Sequence, residues 1–102
     1  MQRLDDVAAT AVADGVTVRP LDQFEDIELK FLDIEVGHAT PVHSHRHAHR
    51  GVILSGSGVL QLQEQRLLLA PGDVFSIAPN EPHAIHSHDV EPLRLVCLDC
   101  LV

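Results

Sequence analysis

Four histidines stand at every second position in the stretch Val-His-Ser-His-Arg-His-Ala-His-Arg-Gly: His43, His45, His47 and His49. A fifth, His83, lies beyond a Pro-Gly-Asp turn and just after Pro79-Asn80-Glu81-Pro82. Neutral imidazole is the commonest protein ligand for divalent transition ions, so a metal site is the first chemistry this spacing suggests. Residues i and i+2 share one face of a strand, which points His43 and His45 the same way. A bend through Arg46, His47 and Ala48 would let His49 open the next strand facing back toward that pair. His83 would open a further strand, held by the rigid proline turn. For any single histidine the alternative is a solvated ring on a mobile loop. The combination of His-x-His, His49 and a distant His83 favours the metal.

Strands must position these rings. Ile27, Leu29 and Phe31 alternate with Glu28 and Lys30, and then Leu32, Ile34 and Val36 alternate with Asp33 and Glu35. A period of two reads as strand, and the parity flip between Phe31 and Leu32 predicts a β-bulge there. Further short strands are expected over 16–20, 51–54, 59–63, 66–70, 74–78, 83–88 and 93–101, with turns at Ser55–Gly58, Glu64-Gln65, Pro71–Asp73 and Pro79–Pro82 and a loop over 89–92. Residues 1–14 form either a short helix or an arm. About nine strands with frequent turns and no long helix imply an antiparallel sandwich or barrel. The 102 residues are expected to make one domain.

Composition narrows the partners. Net charge is −8 with the histidines neutral, and the basic residues are scattered, which argues against nucleic acid or an anionic membrane surface. No apolar run is long enough to span a bilayer, and the N-terminus lacks the layout of a signal peptide, so the cytoplasm is the expected location. With three Phe and no Tyr or Trp, the core must be built from aliphatic side chains. Cys97 and Cys100, three apart on a β-like run, should point to opposite faces as free thiols.

The residues also fit a family pattern. Gly37-(x5)-His43-x-His45-(x3)-His49-(x6)-Gly56 resembles the first motif of the cupins, G(x5)HxH(x3–4)E(x6)G. Gly72-(x5)-Ala78-x-Asn80-(x2)-His83-(x3)-Ser87 resembles their second, G(x5)PxG(x2)H(x3)N. These motifs cover 37–56 and 72–87. The resemblance implies an all-β fold, a small antiparallel β-barrel of jelly-roll type, with His43, His45, His49 and His83 as metal ligands. His49 stands where the family usually has Glu, which is similar to a four-histidine subgroup of small single-domain cupins, some of which hold manganese. His47 falls at the family's bend and is expected at the rim. Asn80 stands in place of a Gly and tolerates the left-handed conformation such a turn needs. Ser87 stands in place of an Asn. By strand parity, His86 and His88 should face outward, as should His38.

Four neutral imidazoles would leave a divalent ion its full charge, a strong Lewis acid toward a bound oxygen. Gly51 shares the face of His49 and, where many cupins carry an aromatic, would leave room beside the metal. Phe31, Ile53, Leu62, Phe75, Ile85 and Cys97 are the expected pocket walls. No acid has a clear inward position near the motifs, and too few basic residues face inward to clamp phosphate. These features imply a metal-dependent enzyme, a dioxygenase or related oxidoreductase acting on a small organic substrate. The alternative is a non-catalytic cupin that binds or senses a small ligand. Manganese is preferred by resemblance, then iron, while nickel, zinc and copper also suit imidazole. Val52 and Leu54, on the opposite face of the His49 strand, predict an apolar stripe buried in a homodimer. Metal should be lost below about pH 6, where histidine takes up a proton.

Overall fold

Among the described residues nine strands carry the fold: β1 (Thr10–Ala13), β2 (Val16–Phe24), β3 (Ile27–Ile34), β4 (His49–Ser55), β5 (Gly58–Leu62), β6 (Arg66–Leu69), β7 (Val74–Ile77), β8 (His83–Ser87) and β9 (Leu93–Cys100). The structure is a computed structural model that describes residues 1–88 and 90–100. Leu101, expected to end the last strand, and Asp89, expected to begin the loop before it, lie outside the described residues. Six strands form one sheet in the order β1-β2-β3-β9-β4-β7, and three form the other in the order β6-β5-β8. Every pairing is antiparallel. The two sheets close on each other as a small jelly-roll barrel. No helix among the described residues is long and apolar enough to cross a membrane.

Alternation decides which side chains meet inside. On β9, Leu93, Leu95, Cys97 and Asp99 are buried while the residues between them are half-buried. On β4, His49, Gly51 and Ile53 are buried, as parity required. Aliphatic residues from both sheets, among them Ile34, Ile53, Leu60, Leu69 and Leu95, fill the space between. Each buried Leu or Ile contributes about 1.5–3 kcal/mol. Cys97 is buried, Cys100 is half-buried, and both are free thiols.

One local expectation needs correction. The expected bulge in β3 is absent, since its pairing with β9 runs without a slip from Ile27 to Ile34. The irregularity sits in β2 between Pro20 and Asp22. Proline has no N–H for the ladder, so a bulge is natural there. The apolar parity of β3 flips because both of its faces are covered. Leu32 and Ile34 enter the core, while Phe31 lies on the outer face under Arg19 and Arg94, whose guanidinium carbons stand 6.0 and 5.0 Å from its ring centre. The N-terminal segment makes one 3-10 turn at Leu4–Asp6 and then pairs as β1 along β2.

Candidate metal centre

The histidine stretch is stitched to the second motif by its backbone. His43 and His83 exchange N–H···O bonds of 3.1 and 2.9 Å, and the Asn80 N–H donates to the carbonyl of His45 at 2.5 Å. Asn80 holds φ at 64°, the left-handed conformation expected of it. Thr40 Oγ1 accepts from the Ile85 N–H at 2.9 Å, which ties the approach to the histidines onto β8. Rigid backbone therefore sets the spacing of rings that are far apart in sequence.

His43, His45 and His83 each offer a nitrogen within 4.8 Å of the others. Two nitrogens on one ion, each at about 2.1 Å, can lie up to about 4.2 Å apart, so small ring rotations would close the set. His49 is not in that group, but its ring centre is 4.1 Å from that of His45 and 5.7 Å from that of His83. His47, half-buried, is outside the cluster and does not line its cavity.

Protons place the lone pairs. His43 Nδ1 lies 2.5 Å from the Pro41 carbonyl, and His83 Nδ1 lies 2.8 Å from the Glu81 carbonyl. His49 Nδ1 lies 2.5 Å from Asp99 Oδ1. Carbonyl and carboxylate oxygens only accept, so in each neutral ring Nδ1 donates and Nε2 keeps its lone pair. His49 Nε2 is buried with no hydrogen-bond partner, and leaving such an atom unmatched costs about 1–3 kcal/mol. A divalent cation would satisfy it. The donor set is imidazole alone. Burial, helped by the Asp99 charge, pushes the Cys97 thiol up to about 12, so that sulfur stays protonated. These residues fit a divalent transition ion.

Sequence reasoning missed Lys30 and Asp99. Lys30 Nζ lies 2.7 Å from Asp99 Oδ2, inside the barrel mouth. Burial pushes the Asp99 carboxyl up, but the Lys30 ammonium and the His49 hydrogen bond outweigh it and hold the group below its usual range. Burial likewise works against the Lys30 charge, and Asp99 outweighs it, so the ammonium loses its proton less readily than usual. The inward position of Asp99 was implied by Cys97, two residues earlier on the same strand face.

The cavity beside the rings encloses about 60 Å³. Phe75, Ile85 and Cys97 line it, together with Lys30, Leu32, Thr40 and Ile77. Phe31, Ile53 and Leu62 do not. Phe31 is on the outer face, and the other two belong to the packed core. Gly51 also opens no space. It pairs with Phe75 across β4 and β7, and a Cβ on Gly51 would fall 2.4 Å from Phe75 Cζ. The phenyl ring occupies the volume that the missing side chain leaves.

Burial, then the neighbouring imidazoles, lowers His45 to about 4. Burial also lowers His83, and the hydrogen bond to the Glu81 carbonyl only partly offsets this. An unfolded histidine takes its proton near pH 6.5, so between about 6.5 and 4 the unfolded chain binds more protons than the fold. Metal-free protein should therefore lose stability as pH falls through that window. Proton competition for the metal is also weaker than for free histidine. A dialysis series should show metal kept at about pH 6 and released by about pH 4, lower than histidine type alone suggests.

The sequence profile of the Cupin domain family matches residues 30–99. No curated protein matches the chain. Among solved structures, the polyketide cyclase RemF from Streptomyces resistomycificus is 25% identical with a TM-score of 0.88, covering 100% of this chain and 80% of that one. A predicted oxalate decarboxylase from Thermotoga maritima is 18% identical with a TM-score of 0.89, covering 98% and 97%. An RmlC-like cupin from Shewanella frigidimarina is 16% identical with a TM-score of 0.88, covering 99% and 89%.

Proposed function

The chain belongs to the cupin domain family, and from that premise we propose that it is a metal-dependent enzyme of oxygenase type. Its substrate is a small organic molecule held at the barrel mouth. Its ligands are His43, His45, His49 and His83, with manganese the preferred metal and iron next, as in the four-histidine cupins it resembles. The observation that carries this reading is the buried, unpartnered Nε2 of His49 beside three further imidazoles. A divalent ion held there supplies Lewis acidity and, with coordination positions left open, a place for a bidentate oxygen ligand or for substrate together with dioxygen. The chain's own residues prepare the site. The Pro41 and Glu81 carbonyls orient two rings, and Leu32, Phe75, Ile77 and Ile85 give the cavity an apolar wall.

Metal analysis of protein purified without a His-tag or a nickel column is the first test. One equivalent of a divalent transition ion is expected, and sub-stoichiometric metal would sink the site. Anaerobic protein reloaded with manganese or iron should then take up dioxygen with at least one of a panel of diketones, catechols and thiols. A second reading is a non-catalytic cupin that senses or binds a small ligand. The small cavity favours it, since about 60 Å³ holds only a handful of water-sized groups. Tight ligand binding without dioxygen uptake across the panel would decide for it.

The same reading makes the protein a cytoplasmic homodimer. Two free cysteines suit a reducing compartment. The outer face of the larger sheet joins Val52, Leu54, Val74, Val96 and Leu98 into an apolar surface, with Leu54 half exposed and Val74 more so. Light scattering should give twice the chain mass, and Leu54→Glu should give one chain mass with the metal content unchanged. A wild-type monomer would end the dimer proposal.

A further inference from the structure

Three of the four rings, those of His43, His49 and His83, have a visible lock on Nδ1, but the locks differ in kind. His43 and His83 lie next to turns, and each uses a backbone carbonyl two residues earlier. His49 opens β4, where the backbone is committed to ladders with β7 and β9. Its lock must come from a side chain, and the β4–β9 register sets Asp99 directly opposite it. The Asp99 side chain is only 6% exposed, and both of its oxygens are used, Oδ1 on His49 and Oδ2 on Lys30.

We propose that Asp99, steadied by Lys30, is the positioning residue of the metal centre: it fixes His49 as the Nδ1–H tautomer and so turns the Nε2 lone pair into the site. The inference rests on reading the four histidines as a metal centre. It assigns a role to two residues outside the cupin motifs. Free imidazole favours the other tautomer, in which the nitrogen facing the cavity would carry a proton and could bind no cation. A carboxylate is also a stronger acceptor than the carbonyls behind His43 and His83, and it makes the ring opposite a better donor to metal. Lys30 holds the second oxygen, so the carboxylate cannot rotate away from His49. The ammonium also balances the carboxylate charge. The pair therefore adds no net charge beside the ion.

The test needs the tautomer and the affinity separately. Long-range proton–nitrogen correlation spectra of the histidine side chains, recorded on metal-free wild-type protein at neutral pH, should show His49 protonated on Nδ1. Asp99→Leu should move His49 toward the Nε2–H form and weaken manganese(II) and zinc(II) binding about 10- to 100-fold, measured by chelator competition. Asp99→Asn keeps an acceptor oxygen and should fall between the two on both readouts. It decides the matter should Asp99→Leu not fold. A wild-type His49 protonated on Nε2 would overturn the inference. So would a folded Asp99 variant that keeps both the tautomer and the affinity. Failure of the underlying metal reading looks different: wild-type protein would bind neither ion while His49 still carried its proton on Nδ1.

Discussion

Replacing Gly56 by alanine is expected to cost about 4 kcal/mol or more, a large share of the roughly 5–15 kcal/mol that holds a domain of this size together. Gly56 adopts φ of 80°, a region where an L-residue costs about 1–2 kcal/mol. The rest of the penalty is steric. A Cβ there would lie 2.3 Å from the Pro92 carbonyl oxygen and 2.9 Å from Leu93 Cα. Those atoms lead into β9, which is held by β3 on one side and β4 on the other, so they cannot retreat without breaking two ladders. Gly72 supplies the control. It has φ of 90°, yet a Cβ on it would meet nothing within 4 Å. Gly72→Ala should therefore cost only the conformational part, about 1–2 kcal/mol. Urea unfolding of the two variants beside wild type measures the difference. Equal losses would show that the Pro92 contact contributes nothing and that φ alone decides.

The contrast between these two motif glycines shows what the sequence could and could not reveal. Both were legible as fixed points of a pattern, but only the fold distinguishes a crowded position from an open one. The histidines were legible because their chemistry is local: His43 and His45 are two residues apart and their ring centres stand 4.4 Å apart, although the stretch makes only an isolated bridge at His43, and His49 and His83 each begin a strand. Strand parity likewise placed Ile53 on the inner side, on the face of His49. Gly51 misled for a physical reason. A missing side chain is space only if nothing faces it, and the β4–β7 register puts Phe75 across from it. Register between strands separated by a hairpin and two turns is not written in either strand. Lys30 and Asp99 were hidden differently. Charged residues in an alternating strand normally face water, and two that neutralise each other inside escape that rule. For Asp99 the signal existed, because the face that carries Leu93, Leu95 and Cys97 reaches it two residues on. For Lys30 it did not. The flip beside Phe31 reads equally as a bulge or as a strand covered on both faces, and only the neighbouring β9 decides.

Replacing His83 by alanine is expected to remove stoichiometric metal and to weaken divalent-ion binding by about 100-fold or more. A four-ligand site of imidazole and thiolate type is worth about 10–16 kcal/mol near neutral pH, so one ligand accounts for about 3 kcal/mol. His83 should sit at the upper end of that share. The other three rings come from a single stretch of seven residues, and His83 alone approaches from β8 in the smaller sheet. Its Nδ1 is already tied to the Glu81 carbonyl, so little ordering entropy is left to lose on binding. The backbone bonds between His83 and His43 do not involve the ring and should survive the change, leaving His43 in place. Stability of the metal-free fold should therefore change much less than metal affinity does. His47→Ala is the matched control, since His47 belongs to the same run yet, unlike His49, does not line the cavity beside the rings. It should leave metal content and affinity within about twofold of wild type, the range of an ordinary surface change. Competition titrations with a chromophoric chelator on the three proteins settle the order. If His47→Ala loses the metal and His83→Ala keeps it, the ion is held by the loop rather than across the barrel mouth, and the ligand set proposed for this chain is wrong.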